Sequence, residues 1–256
     1  EGGIGFGADR RASAFNVPPN RSSRNAPALY NLGTPFATAL FHDGAIEANR
    51  PETWAGFSSI LAAQNKTHVT NPDMMAGHPG ENDVADAVAD GRLDDATALL
   101  VSRLRDIPTY AQHFETAFDA VNGPADMGFG HVADALAAFI AFEWRSDASP
   151  VDGHFSGTSE LSGPAATGLQ LFYGKAGCSA CHGGPLFSDM QYHAMAIPQL
   201  GPGKPTNGTG HDPGRFLESG KPEDIFKFKT PSLRNVAASP PYGHAGSHDS
   251  LAGFLA

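Results

Sequence analysis

Between Gly174 and Pro185 the chain reads Gly-Lys-Ala-Gly-Cys-Ser-Ala-Cys-His-Gly-Gly-Pro. Cys178 and Cys181 are the only cysteines among 256 residues, and His182 follows the second directly. This spacing is the attachment signature of c-type haem, in which two thioethers clamp the porphyrin edge and the adjacent imidazole reaches the iron. Three other chemistries use paired cysteines. A thioredoxin-like dithiol sits near a βαβ pattern, and none is visible in this sequence. Half a zinc site needs further ligands at short, regular spacing, which the scattered histidines do not provide. A disulfide across two intervening residues closes too short a loop to stabilise much. Haem c attachment therefore constrains this chain more than any other feature, and it points to electron or oxidant chemistry.

Asp and Glu outnumber Lys and Arg by 27 to 17, giving a net charge of −10. Nucleic-acid binders carry a basic patch or stripe, so phosphate recognition is excluded as the expectation. A redox partner with a basic docking face suits an acidic surface. No apolar run reaches the length of a transmembrane segment. The opening Glu-Gly-Gly-Ile-Gly-Phe-Gly resembles neither a signal peptide nor a natural start. The expectation is that a leader has been removed or that the sequence begins inside a longer polypeptide.

Residues 1–50 show no periodicity, with turn signals at Val17-Pro18-Pro19-Asn20, Ala26-Pro27 and Asp43-Gly44. Helical spacing follows from about Pro51 through Trp54, Phe57, Ile60 and Leu61, then from Asn82 to Arg105 and from Thr109 to Val121. His131 to Trp144 is the strongest helix, and its aromatics are expected to pack in the core. Arg145 to Gly163 is polar and marks a boundary; Gly163 to Tyr173 is a short helix leading into the cysteine motif. Ile197 to Asp224, rich in Pro, Gly and Asn, is a long loop suited to covering a cofactor. The predicted fold class is mainly α, with long loops and little β structure.

Arg24-Asn25-Ala26-Pro27, Phe41-His42-Asp43-Gly44, the run over residues 134–154, Phe228 to Val236, and Pro241-Tyr242-Gly243-His244-Ala245-Gly246 occur in an order that resembles bacterial di-haem cytochrome c peroxidases and their MauG-type relatives. The resemblance covers nearly the whole chain. It implies two cytochrome c-like domains, residues 1–145 and 146–256, each binding one haem c. The C-terminal haem is the electron relay and the N-terminal one meets hydrogen peroxide. This chain carries the second attachment motif; the first is expected shortly before Glu1. The distal ligand of the second haem is expected just past Ala256, with Met190, Met195 and His193 as substitutes within the chain, each of which is also suited to loop or haem-edge packing.

The resemblance further implies a calcium ion held by Asn25 and by the carbonyls of Ser239 and Pro241. His42 takes the position of an inter-haem tryptophan. Met74 replaces the proton-transferring glutamate of relatives, which leaves Asp73 and Glu81 as candidate acid–base groups. Arg215, Lys229 and Arg234 are candidates for pairing with haem propionates. The implied activity is that of a periplasmic c-type haem oxidoreductase, passing electrons from a small redox protein or redox complex through the C-terminal haem to a peroxide-reducing site. The alternatives are a non-catalytic electron-transfer subunit of a larger redox complex and a metal-binding protein without haem.

Overall fold

The computed structural model describes residues 24–200 and 211–256; the turn signal at 17–20 lies outside them, as does the middle of the long 197–224 loop. Its strands are two residues each. β1 (Ala39–Leu40) pairs antiparallel with β2 (Ile46–Glu47), placing Leu40 opposite Ile46. Between them Gly44 takes a left-handed conformation (φ 71°), and a Cβ there would collide with the Tyr192 hydroxyl and the Arg215 guanidinium. Only glycine lets the turn approach these groups so closely.

Helix α1 (Ile60–Thr70) starts later than the Trp54–Phe57 spacing predicts. Ser59 sets the boundary, its hydroxyl accepting the Ala62 N–H, a cap that contributes about 1 kcal/mol. A π turn at Pro72–Ala76 follows. α2 (Asp83–Ala89) is capped by Asn82, whose side chain accepts from Val84 and Ala85, and a turn at Gly91 separates it from α3 (Leu93–Arg105). α4 (Pro108–Ala117) begins on a proline, whose missing N–H costs nothing in the first turn. α5 spans Phe129–Glu143.

The core forms where α1 crosses α5. Ala62 and Ala63 meet Ala133 and Ala137, joined by Leu40, Ile46 and Leu61. The small side chains let the helices approach closely, and Asn65 uses the proximity to donate to both the Leu61 and Ala133 carbonyls. Burying each large aliphatic here stabilises by about 1.5–3 kcal/mol. A second cluster joins Val101, Ala111, Phe114, Val121 and Met127. The expectation that all the aromatics of α5 serve the core is wrong. Phe139 is 55% exposed and Phe142 80%, with Leu136 and Tyr110 of α4 also exposed. α5 is apolar on every side, so periodicity could not show that its alanine face is the buried one.

The Arg145–Gly163 boundary holds a further short helix, α6 (Pro150–Phe155), started by a capping box in which the Asp152 carboxylate accepts the Ser149 N–H. Asn31 fastens this bridge to the N-terminal segment, accepting from Ser146 N–H and donating to the Ser146 carbonyl, both at 2.8 Å. α7 (Gly163–Tyr173) runs into the cysteine motif as predicted. β3 (Tyr192–His193) pairs antiparallel with β4 (Phe228–Lys229); the one-turn α8 (Phe216–Ser219) lies between them in sequence and α9 (Leu251–Leu255) follows. The described architecture is thus mainly helical, with two small two-stranded sheets. Beyond Arg145, the buried apolar side chains among the described residues are Leu186, Met190 and Ala245.

Candidate haem-binding site

After α7 the chain turns at Gly177 (φ 67°) into a 3-10 turn, Cys178–Ala180. The His182 N–H donates to the Cys178 carbonyl at 2.9 Å, so both thiols and the imidazole leave one compact turn. Both cysteines are free thiols, Cys178 exposed and Cys181 half-buried. The His182 Nδ1 lies 2.9 Å from the Phe187 carbonyl. A carbonyl only accepts, so Nδ1 carries the proton and Nε2 keeps the lone pair that a metal ligand needs.

Cys181, Asp189 and His193 place one ligand atom each within 4.8 Å of one another. His193 Nε2 and Asp189 Oδ2 are already hydrogen-bonded at 2.8 Å, and a thioether at Cys181 would remove the thiolate that such a site requires. An apolar cleft of about 400 Å³ adjoins the motif, between the start of α6, the Ala165–Leu169–Phe172 face of α7, Phe187 and Leu233.

A buried charged cluster joins the two halves of the chain. Arg24 forks onto Asp212, Nε to Oδ2 at 2.6 Å and Nη2 to Oδ1 at 2.9 Å, and its Nη1 bonds Asp43. His244 Nε2 lies 3.1 Å from Asp212 Oδ2. Burial raises the Asp212 carboxyl, but hydrogen bonding from Arg24, the close His244 imidazole and the Arg24 charge outweigh it and hold it far below the carboxylate range. His42 faces this cluster, and its carbonyl accepts the Lys229 N–H at 2.7 Å. Burial, then the charges of Arg24 and Lys229, push the His42 imidazole down to about 3. Lys229 is itself pushed down to about 8 by burial. No carboxylate partner of its ammonium occurs among the described residues, so an anionic group such as a propionate fits there.

Arg215 is engaged elsewhere. Its Nη2 meets Glu47 at 2.7 Å, its Nη1 donates to the Asp43 and Gly44 carbonyls, and its guanidinium lies 4.2 Å from the centre of the Tyr192 ring. Tyr192 completes the set, donating to Glu47 at 2.6 Å. Arg234 bonds Asp152 and the Pro185 carbonyl. Sequence reasoning missed Asp212, Asp152 and Glu47, because their partners are far away along the chain and no local spacing marks them.

Of the three proposed calcium ligands, Asn25 and the Pro241 carbonyl lie together. Asn25 N–H donates to the His244 carbonyl at 2.8 Å, and Asn25 Nδ2 lies 2.6 Å from the Pro241 carbonyl. Asn25 Oδ1 is buried with no hydrogen-bond partner. A half-turn of this amide exchanges Nδ2 and Oδ1 and sets two oxygens side by side, the chemistry of a calcium site. Gly246 (φ 74°) leaves the room: a Cβ there would sit 3.6 Å from Oδ1. Ser239 shares this segment, its hydroxyl donating to the Val236 carbonyl.

The remaining candidates lie apart. Met190 is packed with Ala37 and Leu186, whereas Met195 is 67% exposed. Glu81 accepts the His78 N–H at 2.6 Å within its own turn. Asp73 belongs to the π turn with Met74, and its side chain lies outside the described part of the structure.

A helical scaffold that presents two thiols and an imidazole with a free Nε2 has the donor set of a c-type haem protein. Residues 4–160 match the sequence profile of the di-haem cytochrome c peroxidases. The chain is 33% identical to cytochrome-c peroxidase IdrP1 of Denitromonas iodatirespirans over 81% of its length, and 32% identical to the methylamine utilization protein MauG of Methylorubrum extorquens over 96%. It is 27% identical to cytochrome c551 peroxidase of Pseudomonas aeruginosa over 94%. A solved MauG-like protein associated with microbial copper homeostasis shares the fold (TM-score 0.69, 24% identity, 97% of this chain and 65% of that one). So does the diheme peroxidase BthA of Burkholderia thailandensis, with a TM-score of 0.57. The chain belongs to the di-haem cytochrome c peroxidase/MauG family. It spans 57–61% of the length of the three curated relatives named.

Proposed function

We propose that residues 146–256 form a haem c domain attached through Cys178 and Cys181, with His182 Nε2 as the proximal ligand, and that residues 1–145 are the peroxidase-side domain. The observation that carries this reading is the His182 Nδ1–Phe187 carbonyl bond on a turn with two free thiols. Bound there, haem c supplies a one-electron iron couple. Lys229 offers a half-buried cation to a propionate. His42, held neutral by burial and neighbouring cations, lies where electrons pass between domains and adds no charge to that path. Asn25 and the Pro241 carbonyl brace the junction, with calcium as the fitting ion.

For the complete protein the reading is electron transfer through the C-terminal haem to a peroxide-reducing site. Hydrogen peroxide is the substrate, a small redox protein or redox complex is the donor, and the location is the periplasm. No helix among the described residues is long and apolar enough to cross a membrane. Met74 in place of a proton-transferring carboxylate supports a second reading, an electron-transfer subunit without peroxidase activity. Covalent haem counted by mass and by the pyridine haemochrome band, followed by peroxide turnover with a reduced donor, separates the two. Covalent haem with turnover supports the enzyme; covalent haem without turnover supports the subunit; no covalent haem overturns both.

A further inference from the structure

We propose that Arg234, braced by Asp152 and assisted by Ser232, is a positioning residue for the proximal imidazole. This rests on the haem reading of His182. The segment 232–234 grips three consecutive residues beside the cysteine motif. Arg234 Nε donates to the Pro185 carbonyl at 2.7 Å. The Leu186 carbonyl accepts from the Ser232 hydroxyl at 2.9 Å and from the Leu233 N–H at 3.2 Å. The Arg234 guanidinium sits 5.1 Å from the centre of the Phe187 ring. Of these three residues, only Phe187 has its carbonyl turned to His182.

Phe187 holds a left-handed backbone (φ 50°), a conformation that a bulky residue adopts only where its surroundings impose it. The grip from 232–234 imposes it and so aims the carbonyl. Asp152 fixes the other end: Arg234 Nη1 lies 2.7 Å from each of its carboxylate oxygens, while the same carboxylate caps α6. The path from the α6 start to the imidazole is thus Asp152, Arg234, Phe187, His182. A firm Nδ1–H bond raises the basicity of a ligating imidazole, which favours the ferric state.

The test is the midpoint potential and ferric EPR g values of the haem-loaded protein with R234Q, R234K and S232A. Loosening the grip weakens the Nδ1–H bond, so R234Q raises the potential by about tenfold in the ferric/ferrous equilibrium, about 59 mV for one electron. R234K also raises it, because a single ammonium cannot bind Asp152 and Pro185 while stacking on Phe187. S232A, which changes no charge, shifts it in the same direction by less, and all three move the g values. A guanidinium acting only as a charge gives the opposite pattern: R234Q lowers the potential and R234K and S232A leave it unchanged. That pattern, or three unmoved potentials at full haem content, overturns the proposal. Should R234Q not fold, R234K and S232A decide. Wild-type protein that matures without covalent haem ends the haem reading itself.

Discussion

Replacing Arg24 by Met keeps the length of the side chain and removes its charge, taking the arginine partner from Asp43 and Asp212, whose side chains are 7% and 5% exposed. Breaking a buried ion pair from one side costs about 3–5 kcal/mol. In a domain of this size that lowers Tm by roughly 6–20 °C at neutral pH. The pH dependence is the sharper test. Asp212 has a folded pKa well below its ordinary 3.8, so its stabilising contribution is present above that value and is lost as the pH falls below it. Without Arg24 the carboxyl loses its largest lowering partner, so its folded pKa rises and less of its stabilising contribution is lost as pH falls. His42 acts in the same sense. It is pushed from 6.5 to about 3 by burial and, second, by Arg24, so the wild type loses stability as pH falls from 6.5 towards 3. R24M relieves part of that loss. The stability gap between wild type and R24M therefore narrows as pH falls from 7 to 4. Thermal unfolding followed by circular dichroism, at matched haem content and constant ionic strength, reads it. A gap below about 1 kcal/mol at pH 7, or one that widens on acidification, refutes the reasoning.

Replacing either Cys178 or Cys181 by Ala leaves one thioether, and replacing both leaves none; haem staining on denaturing gels and the position of the haemochrome band report the count. K229M in haem-free protein raises stability at pH 7 by about 2 kcal/mol, because the folded pKa of about 8 lies below the ordinary 10.5 and burying the ammonium costs stability below pH 8. In wild type that cost disappears as pH rises from 8 to 10.5, so urea midpoints of the two proteins converge there. N25D adds a carboxylate to the proposed calcium site and increases the Tm gained on adding Ca²⁺, whereas N25L abolishes the gain; calorimetry with and without chelator measures both. On α5, F142Q changes stability by no more than about 0.5 kcal/mol, while A133L costs about 1–3 kcal/mol by overpacking the α1 contact, both read from urea unfolding.

What could be read from the sequence was what is local. The cysteine motif closes within five residues, and α7 runs into it where the apolar spacing from Gly163 to Tyr173 places it. The start of α2 falls at Asn82, whose side chain bonds the next turn, whereas apolar spacing from Pro51 starts α1 too early because Ser59 sets its boundary. Two kinds of information were hidden. One is direction: α5 is apolar all round, and only the approach of α1 settles that Ala133, not Phe142, lies inside. The other is distance along the chain. Asp212 meets Arg24 across 188 positions, and Asp152 meets Arg234 across 82. These pairs sit inside motifs that look, taken singly, like ligand segments. Arg215 and Arg234 read as propionate partners in the sequence; the structure pairs them with Glu47 and with Asp152. An arginine next to a cofactor motif in an acidic chain finds protein carboxylates first, because they are covalently present and already close. Lys229 is the contrasting case: half-buried beside His42, with no carboxylate partner among the described residues, its ammonium carries a desolvation cost.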